Sequence, residues 1–175
     1  IGYHLSKKLL DEGLQVIGID NLNSYYDVSL KKDRLSGLKK YEKFVFEICD
    51  MAEMQELSEV FLNHDPKYVI NLAAQPGVRY SITNPDVSLK NNINAFFNLL
   101  ECCRNTKVNS LIYASSSSVY GNNLKIPFSV EDNVDHPISL YADIKKANEL
   151  MAYTYHHLYG IPVTGLRFFT VYGPW

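Results

Sequence analysis

One pattern limits what this chain can fold into. Short apolar runs bounded by turn formers alternate with stretches of helical period, and no two runs are joined by a hairpin signal. The runs fall at residues 15–20, 44–49, 68–72, 110–114 and 163–168. Helical stretches are expected at 2–12, after residue 27 up to Gly37, at 52–63, at 85–104 and at 140–159. Gly13 and Gly160 stand where helices end, and Asp50 reads as the N-cap of the helix beginning at Ala52. Residues 115–139, with Pro127 and Pro137, read as a long irregular stretch. Strand and helix in strict alternation predict an α/β fold, a doubly wound parallel sheet with helices on both faces. Ligands bind such sheets at the carboxyl ends of the strands, so the chemistry should sit just after each run.

Composition mainly excludes. The chain has 175 residues and a net charge of −2, which marks one ordinary domain and no general nucleic-acid or acidic-membrane binder. No apolar run reaches membrane-spanning length. Cys49, Cys102 and Cys103 show no metal-ligand spacing, so no metal site is expected, and they read as buried reduced thiols in a cytoplasmic setting. The chain opens on Ile1-Gly2 inside a helical pattern, without an initiator Met, and stops at Gly173-Pro174-Trp175 in a loop. A longer parent protein is therefore expected.

The residues after each run carry the functional argument. Asp20 closes the first run, where a carboxylate can accept ribose hydroxyls and repel a 2′-phosphate, or is an ordinary loop aspartate. Of the glycine-rich turn that would precede it, only Gly2 is present. Asp50 either caps a helix or reaches an adenine amino group. Ala73 and Ala74 either admit a cofactor close to the backbone or pack tightly. Ser115, Ser116, Ser117 and Ser118 place four hydroxyls at one strand end, able to bond a substrate oxygen or to cap a tight loop.

Tyr141 and Lys145 stand at i and i+4 of a helix and share a face. A lysine beside a tyrosine favours the phenolate, which suits the tyrosine to general-base work near neutral pH. Tyr3 and Lys7 have the same spacing and read as a surface coincidence. The five histidines read as surface or helix-face residues, and Lys31, Lys32, Lys39 and Lys40 as a solvated helix face.

Taken in order, Asp20, Asp50-Met51, Leu72-Ala73-Ala74-Gln75, Asn91, residues 115–121, Tyr141-x-x-x-Lys145 and residues 167–174 resemble the extended short-chain dehydrogenase family, nearly end to end. Within it, residues 20–27, 75–81, 139–142 and 164–172 are most similar to the UDP-glucuronate 4-epimerases. The resemblance implies that residues 1–175 are part of a Rossmann-like NAD-binding domain, truncated, with its first strand and C-terminal substrate domain outside this segment. Gly2, Asp20, Asn21, Asn23, Asp50, Met51, Leu72, Ala73, Ala74, Gln75, Asn91, Ser115, Tyr141, Lys145 and Phe168 would then contact NAD. Ser116, Tyr141 and Lys145 would form the catalytic set. Arg79, Ser116, Ser117, Ser118 and Thr170 would face a UDP-sugar. The full-length protein would be a homodimer through the helices at 85–104 and 140–159.

Relatives that dehydrate the sugar carry an Asp-Glu pair, and decarboxylating relatives a Glu, where this chain has Ser117 and Ser118. Without a carboxylate, elimination lacks its proton shuttle, whereas epimerisation needs none. The implied reaction interconverts UDP-glucuronate and UDP-galacturonate through a transient 4-keto sugar with tightly bound NAD. Another NAD-dependent epimerase or reductase of the family, or a non-catalytic nucleotide-binding relative, stays open. The 175 residues alone are expected to have an interrupted sheet, to bind NAD weakly and to turn over little.

Overall fold

The computed structural model describes residues 1–175. They fall into two compact units, residues 1–50 with 171–175, and residues 51–170. Their strands form two all-parallel sheets, one of two strands and one of three.

The first unit contains α1 (Gly2–Asp11), β1 (Val16–Asp20), α2 (Val28–Leu38) and β2 (Phe44–Ile48). β1 and β2 pair from Val16 opposite Phe44 to Asp20 opposite Ile48. The loop between β1 and α2 is a chain of side-chain-to-backbone turns, the habit of Asp and Asn outside regular structure. Asp20 accepts from the Leu22 amide, Asn21 from that of Asn23 and Asn23 from that of Tyr25. Asp27 then caps α2 by accepting from the Ser29 amide at 2.8 Å.

The second unit contains α3 (Met54–His64), β3 (Tyr68–Asn71), α4 (Val78–Thr83), α5 (Pro85–Leu89), a π-turn (Lys90–Asn94), α6 (Ala95–Thr106), β4 (Ser110–Ser116), a 3₁₀ turn (Ser117–Tyr120), α7 (Leu140–Tyr159) and β5 (Val163–Phe168). Its sheet order is β3-β4-β5. On α6 the apolar residues Phe96, Leu99, Leu100 and Cys103 recur at helical spacing and are all buried. With Leu57 and Phe61 of α3, Leu111 and Tyr113 of β4, and Ile144 and Ala152 of α7, they make up most of the core. Each large apolar side chain removed from water contributes roughly 1.5–3 kcal/mol.

Most predicted elements are present, and the departures have local causes. The stretch expected as one helix at 85–104 is α5, the π-turn and α6 in succession. Asp50 does not cap α3: the helix starts at Met54, with Glu53 in the capping position. The carbonyls of Met51 and Ala52 are instead taken by the Asn98 amide, each at 3.0 Å, which holds this segment out of the helix. α4 was not anticipated: at six residues it is too short for a helical period to show. β4 runs on through Ser115 and Ser116, residues expected to be irregular, because β5 supplies them with ladder partners. Lys31 is not on a solvated face: its ammonium bonds Asp20 and Asn23, each at 3.3 Å. All three cysteines are buried and unbridged. No helix is long and apolar enough to cross a membrane.

Candidate active site

Burial alternates along β4, so Leu111, Tyr113 and Ser115 share its covered face. A hydroxyl on that face needs a partner, and Ser115 Oγ donates to Glu149 Oε1 at 2.6 Å. Ser116 is extended, with φ −150° and ψ 145°, and caps the 3₁₀ turn. Its Oγ accepts from the Ser118 amide at 3.2 Å and from the Ser118 hydroxyl at 2.9 Å. A serine hydroxyl has two acceptor sites and one proton to donate. With both acceptor sites taken, Ser116 is left to act as a donor.

Ser139 begins α7, its Oγ accepting from the Ala142 amide at 3.1 Å. That cap places Tyr141, half-buried, in the first turn and Lys145 one turn later. Lys145 is 4% exposed, and its ammonium donates to the Ala114 carbonyl at 2.8 Å. The same nitrogen lies 5.8 Å from the centre of the Tyr141 ring. Burial pushes the Lys145 pKa down to about 8.

One turn further along, Glu149 makes a forked ion pair with Arg167, Nε to Oε1 at 3.0 Å and NH2 to Oε2 at 2.9 Å. Burial pulls the Glu149 carboxyl up, but the bonds from Arg167 and Ser115 outweigh it and hold the carboxyl below its ordinary value. The bond to Glu149 in turn raises the already high pKa of Arg167. The guanidinium also lies 5.0 Å above the Tyr120 ring.

The remaining candidates are spread more widely. After β3, Leu72 and Ala74 are half-buried and Ala73 is exposed, with the Ala73 amide bonded to Asn71 Oδ1 at 3.1 Å. Gln75 is buried and clamped through its backbone by Asn92, whose Oδ1 accepts from the Gln75 amide at 2.7 Å and whose Nδ2 donates to the Gln75 carbonyl at 3.0 Å. Asn91 is half-buried beside it on the π-turn. Arg79 is exposed on α4, Ser117 and Ser118 are half-buried in the 3₁₀ turn, Phe168 is half-buried opposite Ser116, and Thr170 is exposed just beyond β5. In the first unit, Gly2 opens α1, Asp20 lies at the end of β1, and Asn21 donates to Asp50 at 3.4 Å. No three His, Cys, Asp or Glu side chains are grouped to hold a metal ion.

Sequence reasoning passed over Glu149 and Asn92. Glu149 was recoverable in part, since it stands four residues beyond Lys145 on the same helical face. Asn92 carried no signal, because its partner is a backbone 17 residues away.

The profile of the GDP-mannose 4,6-dehydratase family matches residues 1–175. The chain is 58% identical over 175 residues to protein CapI of Staphylococcus aureus, and 48% identical over 178 residues to UDP-glucuronate 4-epimerase 2 of Arabidopsis thaliana. All of this chain is covered in both, but only 52% and 40% of those relatives, so it spans about half their length or less. The crystal structure of UDP-glucuronic acid 4-epimerase from Bacillus cereus, in complex with UDP-glucuronic acid and NAD, superposes with a TM-score of 0.89 at 35% identity. That match takes in 99% of this chain and 55% of the crystallised one.

Proposed function

The chain belongs to the GDP-mannose 4,6-dehydratase family, and from that premise we propose that the protein carrying it is an NAD-dependent UDP-sugar 4-epimerase acting between UDP-glucuronate and UDP-galacturonate. One observation carries the reading: Lys145 is buried against the end of β4, close to the Tyr141 ring, while the adjoining Ser116 has only its proton left to give. The serines at 117 and 118 support epimerisation over dehydration. Neither can relay a proton as a carboxylate does, and the Ser118 hydroxyl is committed to Ser116.

The residues suit a dinucleotide. Asp20 ends β1, the small Ala73 and Ala74 follow β3, and Lys145 is a lone buried cation. In the reaction proposed here, Asp20 and Asp50 would hold the adenosine half of NAD, and Lys145 would hold the nicotinamide ribose. The cofactor would supply a reversible hydride acceptor. Tyr141 takes the proton from the sugar 4-hydroxyl and later gives it back. Ser116 donates to the same oxygen and keeps it in line. Lys145 favours the tyrosine anion by its charge. Arg79 and Thr170 are assigned to the sugar. A homodimer through α6 and α7 belongs to the same proposal, supported by the exposed Phe97, Leu150, Tyr153 and Leu158 on those helices.

The test uses the intact protein, incubated separately with UDP-glucuronate and UDP-glucose and followed by product analysis. UDP-galacturonate should form from the first. Tyr141→Phe should abolish turnover and leave NAD bound. Near-normal turnover by that variant would remove Tyr141 as the base, and a reduced or dehydrated product would remove the epimerase reading.

A further inference from the structure

Glu149 joins three elements at one point. Ser115 and Arg167 face each other across the β4–β5 ladder, and the Glu149 carboxylate from α7 binds both. Just before Ser115, Ala114 is bonded to the same helix by Lys145. Successive residues of β4 are thus tied to successive turns of α7. The next residue along the strand is Ser116, and the preceding turn of the helix carries Tyr141. Resting on the function proposed above, we infer that Glu149 and Arg167 are positioning residues, a clamp that sets the distance of Ser116 from Tyr141.

The surroundings fit that role. Both members of the pair are largely buried, with 15% and 18% of their side chains exposed, so the ion pair is shielded and directional. Arg167 reaches further than the pair requires. It covers the Tyr120 ring at the end of the 3₁₀ turn and donates to the Val130 carbonyl at 3.5 Å. That turn is the one Ser116 caps, so the guanidinium rests on the end of it opposite Ser116. The other charged or titratable groups acting on Glu149 are Lys146 and Tyr113; Tyr113 is buried and makes no hydrogen bond to it. Ser115 is the hydroxyl bonded to Glu149, as that of Tyr120 is to Arg167, and the Ser115 bond can be removed while the ion pair stays intact.

The experiment compares Ser115→Ala, Glu149→Gln, Glu149→Ala and Arg167→Lys in the intact enzyme, with kcat expressed per NAD-loaded molecule. Small misplacements of reacting groups cost rate more than binding. Ser115→Ala should lower kcat about 5-fold, and Glu149→Ala about 50-fold, with KM changed less than about 2-fold. Glu149→Gln keeps an acceptor for Ser115 and should recover most of the loss seen in Glu149→Ala. A purely structural role would lower the folded, NAD-loaded fraction and leave kcat per loaded molecule unchanged in all four variants, and that result would overturn the inference. Should the wild type turn over no UDP-sugar, the epimerase reading falls, and the clamp is judged by titration. The Tyr141 phenol, read as an ultraviolet difference against matched Tyr141→Phe proteins, should titrate differently in Ser115→Ala, which changes no charge, than in wild type. An unmoved titration there would overturn the clamp on its own.

Discussion

The Lys145 ammonium donates to the Ala114 carbonyl oxygen over 2.8 Å, and burial lowers its pKa. A cation kept in such a place costs stability and is repaid only by what it does there. Its cost has a measurable pH signature.

Lys145 should make the fold more stable between pH 8 and 10.5 than at neutrality. Its folded pKa of about 8 lies below the ordinary 10.5, so in that window the unfolded chain holds more protons than the folded one, and stability rises with pH. Below pH 8 both states are charged and the full cost remains, on the order of 3 kcal/mol. Cys103 and Tyr113, both pushed up to about 12 by burial, act in the opposite sense from pH 9 and 10 upward. The quantity to measure is therefore the wild-type minus Lys145→Met difference from urea unfolding. That difference should shift in favour of wild type between about pH 7 and about pH 9.5. A difference independent of pH would contradict the burial argument.

Asn92 should be worth more to stability than its place in a π-turn suggests. It satisfies both the amide and the carbonyl of buried Gln75. Asn92→Ala leaves two buried backbone groups without partners, at a cost of about 2–4 kcal/mol in chemical unfolding. Asn92→Asp keeps the acceptor but turns a negative oxygen toward the Gln75 carbonyl, and should be at least as harmful. A loss below about 0.5 kcal/mol for the alanine variant would mean the loop finds other partners.

How far the fold was legible depended on the range of each cause. The helix at Leu140–Tyr159 and the strand at Val163–Phe168 were readable to the residue, because Ser139, Gly160 and the apolar period are all local signals. The start of α3 was not, since Asn98 from another helix takes the carbonyls that Asp50 was expected to precede. Lys145 was legible as Tyr141's neighbour, but its tie to Ala114 spans 31 residues and leaves no mark on spacing. The serine run was read as either a substrate contact or a cap. Ser116 is a cap by its acceptor sites and offers a donor by what remains.

Gly165 should resist even a methyl group. A Cβ at this position would sit 2.6 Å from the Tyr113 hydroxyl oxygen and 2.7 Å from its ring carbon Cζ, and Tyr113 is buried and unable to retreat. Gly165→Ala is expected to cost about 1–3 kcal/mol by overpacking. The same substitution should cost clearly less in a Tyr113→Leu background, where the ring is gone. Equal costs in the two backgrounds would show that Tyr113 is not what the methyl meets.

Gly121 is the position where backbone and space object together. It has φ 56° and ψ −130°, a region open essentially to glycine, and a Cβ there would lie 2.4 Å from the His136 carbonyl oxygen. Gly121 ends the 3₁₀ turn whose first cap is Ser116, so strain relieved here moves the segment that presents the candidate donor. Gly121→Ala should destabilise by more than about 2 kcal/mol in urea unfolding. Under the function proposed above, it should also lower kcat per NAD-loaded molecule of the intact protein, because the turn must shift to admit the methyl. Gly121→Asn, which relieves strain at many left-handed positions, should give no rescue, since this ψ lies outside the left-handed helical region and the His136 contact is unchanged. Rescue by asparagine would mean that the turn, not the carbonyl, is the part that yields.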